Sequence, residues 1–401
     1  MRRALCLLVL VLIPAAFARS SADPGIGGDS ILIGGTAPLS GEAAAAGAVS
    51  RGAKAYLDYV NARGGVFGRK IVYKVRDDGY DPARTVQDVR ELVRQDRVFA
   101  LFNMFGTSTN LAVRDFLNRS GVPQLFVGSG ATTWGRDAKR YPWTIGYFPS
   151  YRTEGIVLAR QVLKTKPDAR IAVLYQDDDY GTDLLAGFRR GLAARPRQLA
   201  KAVGYDPTGA NVDSQVAELR ATKADTFMVF AFGKFATQAM IQAAGLGWRP
   251  QVYVNAVASS TALMRRADLT GGRAVAEGAV SVVFFKDPSD PSWANDPGIG
   301  LMQAVIRKYA GATDVRNGYY VAGMASAFTL VDVLKKAGKI LTRAGIMAAA
   351  RSLNEANNPF VLPGIVVKTS TADGFPMQQV ALARWSGGRW NIFTGPLTIS
   401  G

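Results

Sequence analysis

Two short acidic runs are the first candidates for chemistry in this chain of 401 residues. Asp77-Asp78 and Asp177-Asp178-Asp179 each follow an apolar segment that is typical of a strand. Paired carboxylates can serve as general acid and base in glycoside cleavage, or bind a hard cation. Neighbouring acids in one loop do not by themselves flank a substrate bond, and such loops are often simply solvated. We therefore expect no catalytic residue and no metal site, and keep a secreted carboxylate-based hydrolase as the alternative.

Three loops that combine glycine, hydroxyl groups and aromatic rings are candidates for binding instead. They cover residues 36–41, 103–109 and 128–134, after the first, third and fourth predicted strands. Loop amides and hydroxyls at such strand ends can hold a carboxylate, while Phe105 and Trp134 could line an apolar pocket. The competing interpretation is that the hydroxyls only cap helices and the rings belong to the core. The run Gly128-Ser129-Gly130 lacks a correctly spaced third glycine, which argues against a dinucleotide site.

Composition excludes several other chemistries. The chain contains no histidine, and Cys6 is its only cysteine. Catalytic systems that need histidine or cysteine cannot be assembled without them, and zinc, copper and haem sites lose their usual ligands. We expect no cofactor. The net charge is +17, but the basic residues are scattered rather than clustered with aromatic residues, so we expect no nucleic-acid partner.

The first 18 residues have the pattern of a signal peptide. Arg2 and Arg3 precede an apolar run from Leu5 to Ile13, and Ala16-Phe17-Ala18 supplies small residues for cleavage. The apolar run is about nine residues, well short of the roughly 20 that a membrane span requires. We expect Cys6 to be removed with this leader and the mature protein to be exported to the periplasm.

The remaining chain alternates strands and helices in two similar halves. Apolar strands are predicted from Ile31, Ile71, Val98 and Gln124, and a second set over 171–175, 202–205, 226–231 and 251–255. This alternation predicts an α/β protein with parallel sheets. A further strand over 279–285 and helices over 299–309 and 319–336 follow. The tail, over 378–384 and 390–393, predicts an antiparallel hairpin at a sheet edge.

The segments APLSG, RGAKAYLDYVNARGGVFGRKI and DDGYDP resemble the N-terminal signature of branched-chain-amino-acid-type periplasmic solute-binding proteins of ABC transporters. The resemblance continues through GTSTNLAV, GVPQLFVGSGAT, RIAVLYQDDDYGTD and AGLGWRP. It implies a type I periplasmic binding protein, with two doubly wound parallel-sheet lobes joined by three crossing strands. Lobe one would comprise residues 29–147 plus 285–362, and lobe two residues 148–284 plus 363–401. The crossings would lie near 145–150, 280–284 and 363–368.

The same resemblance implies where a ligand would bind. Relatives hold the ligand carboxylate with two hydroxyls, which align with Gly106 and Gly130 here, so the adjacent Thr107 and Ser129 are the candidate substitutes. The acid that pairs with the amino group of an amino-acid ligand should follow Asn255, but this chain has Ala256-Val257 there. An aromatic hydroxyl expected near Phe232 is also missing. The complete set of ligand-binding candidates is Ser40, Phe105, Gly106, Thr107, Gly128, Ser129, Gly130, Trp134, Tyr151, Tyr180, Phe232, Asn255 and Val257.

These departures make an ordinary amino acid a doubtful ligand, because a buried ammonium without a carboxylate partner costs several kcal/mol. The ending LPGIVVKTS and QQVALARWSGGRW looks like the subgroup often assigned to aromatic acids. We expect capture, without chemistry, of a small aromatic or hydrophobic carboxylate by hinge closure of a monomer. Its partners would be an inner-membrane ABC permease with cytoplasmic ATPases. Branched-chain amino acid binding remains the alternative ligand class, and transport cannot be separated from sensing.

Overall fold

The computed structural model describes residues 23–371 and 373–398. The predicted leader at 1–18 lies outside these residues. No helix within the two described stretches is long and apolar enough to cross a membrane. The polypeptide is divided between two sheets, and we call each sheet with its covering helices a lobe.

Lobe one is built on five parallel strands in the order β2-β1-β3-β4-β5. The strands are β1 (Ser30–Ala37), β2 (Lys70–Asp77), β3 (Ala100–Phe102), β4 (Gln124–Val127) and β5 (Thr144–Gly146). The helices between them are α1 (Ala48–Asn61), α2 (Pro82–Arg94), α3 (Thr107–Arg119) and α4 (Thr133–Arg136). Helix α2 begins as its sequence predicts, because the Asp81 carboxylate accepts a hydrogen bond from the Ala83 amide and proline occupies the first turn.

Lobe two repeats this alternation. Its parallel strands are β6 (Ile171–Gln176), β7 (Leu199–Tyr205), β8 (Thr226–Phe230), β9 (Gln251–Val254) and β10 (Val280–Val283). Its helices are α5 (Tyr151–Thr165), α6 (Asp179–Gly191), α7 (Asp213–Ala221), α8 (Lys234–Gly245), α9 (Thr261–Ala267) and α10 (Arg273–Ala276). The sheet continues beyond β10 through two antiparallel strands, β13 (Gln379–Ser386) and β14 (Arg389–Ile392), in the order β14-β13-β10-β9-β8-β6-β7, so the predicted C-terminal hairpin does lie at an edge.

The chain returns to lobe one after β10. The helices here are α11 (Pro297–Val305), α12 (Gly318–Ala337) and α13 (Arg343–Ala350), followed by the short pair β11 (Asn354–Glu355) and β12 (Val367–Lys368). It then enters lobe two through β13 (Gln379–Ser386), β14 (Arg389–Ile392) and β15 (Leu397–Thr398). Three passages therefore connect the sheets. The lobe bounds given above stay a prediction.

Helices α1 and α12 approach each other closely at two glycines. A Cβ on Gly323 would lie 1.9 Å from the Val49 carbonyl oxygen, and one on Gly52 would lie 2.4 Å from that of Tyr320. Both positions exclude any larger residue, because heavy atoms cannot approach so closely. This contact anchors α12 on lobe one and brings its N-terminus to the edge of the cleft between the lobes.

Candidate ligand-binding site between the lobes

An apolar cavity of about 120 Å³ lies where the two lobes meet beside the second passage. We call it the inner chamber. Seven aromatic residues from both lobes and from the passages between them line it: Phe105, Phe148, Phe284, Phe285, Trp293, Tyr319 and Trp390. Val257 also borders the chamber, and its carbonyl oxygen accepts a hydrogen bond of 3.2 Å from the Tyr319 hydroxyl. The loop after β9 is thus tied to lobe one across the cleft.

A second, larger cavity of about 650 Å³ lies at the mouth of the cleft. This outer cleft is lined by polar and charged groups, including Glu42, Gln176, Asp178 and Lys234. The Lys234 ammonium of lobe two lies 3.3 Å from the Glu42 carboxylate of lobe one. The two cavities therefore differ in volume and in the number of aromatic side chains that line them, although the same lobes form both.

Three rings that we call the aromatic trio, Tyr80, Phe105 and Phe232, meet across the cleft. Phe232 of lobe two stacks on Tyr80 at 5.8 Å between centroids and packs on Phe105 at 5.7 Å. Phe105 borders the inner chamber, whereas Tyr80 and Phe232 border the outer cleft. Tyr80 adopts a φ of 67°, which is uncommon for a bulky residue and is typical of functional loops. The trio separates the inner chamber from the outer cleft.

A cluster of hydroxyls lies at the ends of β3 and β4. The Thr107 and Ser129 hydroxyl oxygens are 2.8 Å apart, and both side chains are buried. The Ser129 oxygen also accepts hydrogen bonds from the Ala131 amide (3.2 Å) and the Trp134 indole nitrogen (3.1 Å). Trp134 thus donates a hydrogen bond to this cluster and does not border the inner chamber. Such convergent donors suit an incoming carboxylate oxygen.

Glycines give these loops their shape. Gly106 adopts a φ of 106° at the start of α3, and its amide donates to the Gly128 carbonyl oxygen. The Gly130 carbonyl oxygen accepts from the Tyr151 amide at 2.7 Å. A Cβ on Gly130 would lie 2.4 Å from the Pro149 carbonyl oxygen. Gly106, Gly128 and Gly130 therefore position the loops through the backbone and carry no side-chain chemistry.

Two tyrosines predicted at the cleft meet inside lobe two. The Tyr151 and Tyr180 rings are 5.1 Å apart, and burial raises the pKa of both hydroxyls. The Tyr180 hydroxyl donates to the Ala231 carbonyl oxygen at 3.1 Å. With its amide turned to satisfy its neighbours, Asn255 donates to the same oxygen. Tyr180 and Asn255 thus fix the strand ends behind the aromatic trio.

Ser40 lies apart from these groups. It is exposed in the turn after β1, where its amide and that of Leu39 donate to the Asp77 carboxylate at 3.2 and 2.8 Å. Ser40 lines neither the inner chamber nor the outer cleft. Its observed role is to shape the first loop.

Glu154 is an important residue that sequence reasoning missed. It is 2% exposed, and its carboxyl group accepts a hydrogen bond from the Ala256 amide, at the loop where the missing acid of amino-acid-binding relatives was expected. Burial raises its pKa to about 8, and the hydrogen bond from the Ala256 amide, which lowers the pKa, offsets this rise only in part. The sequence did contain one indication of this residue, since Glu154 is the only acidic residue between Ser150 and Pro167. Its proximity to Ala256, 102 residues away, could not be inferred from that indication.

The acidic runs have structural roles. The Asp178 carboxylate accepts from the Tyr180 and Gly181 amides and from the Gln176 side chain, and so caps α6. Asp78 accepts from the Tyr80 amide and the Thr85 hydroxyl. Within the described residues, no group of three or more potential ligands could hold a metal ion. These arrangements do not resemble a pair of carboxylates that flank a scissile bond.

The polar rim of the inner chamber carries charges of both signs. Lys286 pairs with Asp296 at 2.7 Å. The Asp287 carboxylate accepts from the Thr261 hydroxyl and from the Ser289 amide and hydroxyl. These side chains were not among the predicted site residues, because the loop that carries them had only turn-forming composition.

Residues 30–389 match the family model described as periplasmic binding protein, and the chain belongs to that family. The chain is 26% identical over 343 residues to Leu/Ile/Val-binding protein homolog 7 of Brucella abortus (strain 2308), covering 84% of this chain and 83% of that relative.

Solved structures support the same fold. A branched chain amino acid ABC transporter structure from Thermus thermophilus with bound valine has a TM-score of 0.82 and 17% identity, covering 94% of this chain and 98% of that one. A solute binding protein from R. palustris in complex with benzoate has a TM-score of 0.77 and 17% identity, covering 92% and 98%. The predicted type I periplasmic binding protein fold and family are thereby confirmed.

Proposed function

We propose that this protein is the periplasmic solute-binding component of an ABC importer and captures a small aromatic or otherwise hydrophobic carboxylate between its lobes. The observation that carries this proposal is the aromatic wall of the inner chamber. A volume of about 120 Å³ is near the ~150 Å³ of an engineered apolar cavity that binds benzene, so one ring or a short branched chain fits.

The carboxylate head would bind at the hydroxyl cluster. Thr107 and Ser129 bond to each other, and the Ser129 oxygen also accepts from the Trp134 indole, so a ligand oxygen would replace one of these bonds rather than meet an unsatisfied group. Phe105 precedes Gly106 in the same loop and borders the chamber, whereas Thr107 and Ser129 are buried and do not line it, so the ligand head would reach them only past the Phe105 ring. A ligand with an apolar body and an anionic head would contact both.

Binding would favour the arrangement in which the lobes touch. The aromatic trio, the Lys234–Glu42 ion pair and the Tyr319–Val257 hydrogen bond all join the two lobes, and none could persist if they separated. A ligand stabilises that arrangement to the extent that it binds it more tightly than the open one. The permease would recognise the closed form, and its ATPases would supply the energy for transport.

Capture without chemistry is supported by the relatives, which are solute-binding proteins, and by the structural hydrogen bonds that engage Asp78 and Asp178. Branched-chain amino acid binding is the second candidate. It is favoured by the relatives' names and by Asp287 and Asp290, which line the rim of the inner chamber and could face an ammonium group.

Isothermal titration calorimetry of protein that has been unfolded and refolded to remove bound solute tests the proposal. Benzoate and coumarate should bind with 1:1 stoichiometry, and leucine and valine should bind much more weakly. Strong leucine binding without any response to the aromatic acids would overturn the ligand class. Turnover of glycosides that is lost in Asp178→Asn would overturn the binding role itself, and mass spectrometry of co-purified solute gives an independent identification.

A further inference from the structure

A cavity of about 390 Å³ lies on another side of the lobe interface, and no part of the proposed ligand site uses it. Three arginines line it: Arg136 on α4, Arg152 on α5 and Arg190 on α6. Asp373 is the only acidic residue in its wall, so the lining carries three positive charges and one negative charge. We call this space the arginine cavity.

The single acid in the wall is already engaged. The Asp373 carboxylate accepts hydrogen bonds from the Phe375 amide at 3.1 Å and from the Gln378 side chain. It thus holds the segment that leads into β13, and none of the three arginines forms an ion pair with it among the described contacts. The positive charge of the cavity is therefore not neutralised from within its own wall.

The arginines retain donors that are free to bind. Arg136 uses Nε and one terminal nitrogen on Asp137, outside this cavity wall, and Arg152 reaches Asp183 through one terminal nitrogen at 3.3 Å. The Arg152 Nε is buried and has no partner in the described part of the chain. Within that same part, the Arg190 side chain has no ion pair, hydrogen bond or ring contact. A guanidinium has five N–H donors, so several remain available.

An apolar floor completes the cavity. Met377 is fully buried, and the Phe375 ring packs so closely on α4 that a Cβ at Gly135 would lie 2.5 Å from it. This contact fixes the floor against the helix that carries Arg136. Arginine guanidinium groups are the side chains that proteins favour for binding phosphate and carboxylate groups.

We propose that the arginine cavity is a second binding site, specific for an oxyanion such as a phosphate group. Arg136 belongs to lobe one, whereas Arg152 and Arg190 belong to lobe two. An anion that contacts all three holds the lobes together and acts as an effector of closure. Binding of the anion does not depend on the identity of the transported solute.

Inorganic phosphate is the probe, titrated into the full chain by calorimetry at pH 7.5, with sodium chloride at matched ionic strength as the reference. Saturable 1:1 binding of phosphate is expected, with no saturable heat from chloride. Arg190→Gln removes the charge of an exposed side chain that forms no hydrogen bond or ion pair within the described residues. It should weaken phosphate binding by about tenfold or more, as loss of a charged hydrogen-bond donor does. Arg189→Gln on the same helix is the matched control and should bind as the wild type does.

Two results would overturn the site. If the wild type does not bind phosphate, the proposed site is ruled out directly. Equal weakening in Arg189→Gln and Arg190→Gln would assign the effect to general surface charge. Phenyl phosphate provides a further arm: tighter binding than that of phosphate, lost in Phe375→Ala, is expected if the apolar floor contributes. Failure of aromatic acids to bind at the inner chamber would leave these phosphate results unchanged, so the two proposals can fail separately.

Discussion

The inner chamber and the outer cleft are two parts of one interface, yet they differ in chemistry. Seven aromatic residues line the chamber, whereas the outer cleft has three aromatic residues and includes charged groups such as Glu42 and Lys234. Burial of apolar surface increases binding affinity in proportion to the area removed from water, while exposed ion pairs contribute little. If the ligand binds as proposed, we therefore expect affinity and selectivity to reside in the chamber and the outer cleft to affect mainly how the lobes meet.

The largest effect is expected from placing a charge in the chamber wall. Val257→Glu puts a carboxylate where the wall is apolar, and burying an unpaired carboxylate costs several kcal/mol. Benzoate affinity should fall by at least about 100-fold in calorimetry. Val257→Ala is the control and should lose only a few-fold, because it removes methyl groups without adding charge. Unchanged affinity in Val257→Glu would show that the chamber does not hold the ligand.

The protonation of Glu154, which lies behind the chamber wall, should make the free energy of unfolding depend on pH. Its folded pKa of about 8 lies above the ordinary value of 4.5, because burial disfavours the ionised form. Between these values the unfolded chain releases the proton while the folded chain keeps it, so the free energy of unfolding falls as pH rises. The Glu154 contribution should fall by about 1 kcal/mol per pH unit between pH 5 and 8.

Glu154→Gln should remove the Glu154 contribution to the slope when urea unfolding is followed across the same pH range. Part of the wild-type slope should remain, because burial also raises the pKa of Glu355 to about 7. Glu218→Gln, at a surface ion pair with Lys201, is the control and should retain the full slope. An identical slope in Glu154→Gln and the wild type would mean that Glu154 is ionised in the folded protein.

A smaller effect is expected at the hydroxyl cluster. Ser129→Ala removes the oxygen that joins Thr107, the Ala131 amide and the Trp134 indole. Affinity for benzoate should fall by about tenfold, the size of one hydrogen bond to a charged group. Affinity for a neutral analogue such as benzamide should change less. Equal losses for both ligands would assign Ser129 to loop structure and not to the carboxylate.

The smallest effect is expected in the outer cleft. Glu42→Gln breaks the Lys234–Glu42 ion pair, in which the Glu42 side chain is 76% exposed. Such pairs contribute little in water, so ligand affinity should change by less than about threefold and mainly at low salt. A loss comparable with that of Val257→Glu would contradict the division between chamber and outer cleft.

Much of the fold could be predicted, because periodicity and capping are local properties. Strands predicted from Ile31, Ile71 and Gln124 begin within one residue of β1, β2 and β4, and the Asp81 cap is present. The site was predicted less completely. Phe105 and Val257 do border the chamber, but Trp134 and Tyr151 lie with the hydroxyl cluster and lobe two, away from its wall.

The sequence by itself determined the alternation of strands and helices, the absence of histidine, the family resemblance and the loops at the strand ends. These follow from local pattern and composition. Only the tertiary structure decided that Glu154 reaches Ala256, that Tyr80 stacks on Phe232, and that Phe284 and Tyr319 enclose one chamber. Each of these pairs is far apart in sequence, and its contact depends on how two lobes pack, which no local pattern records.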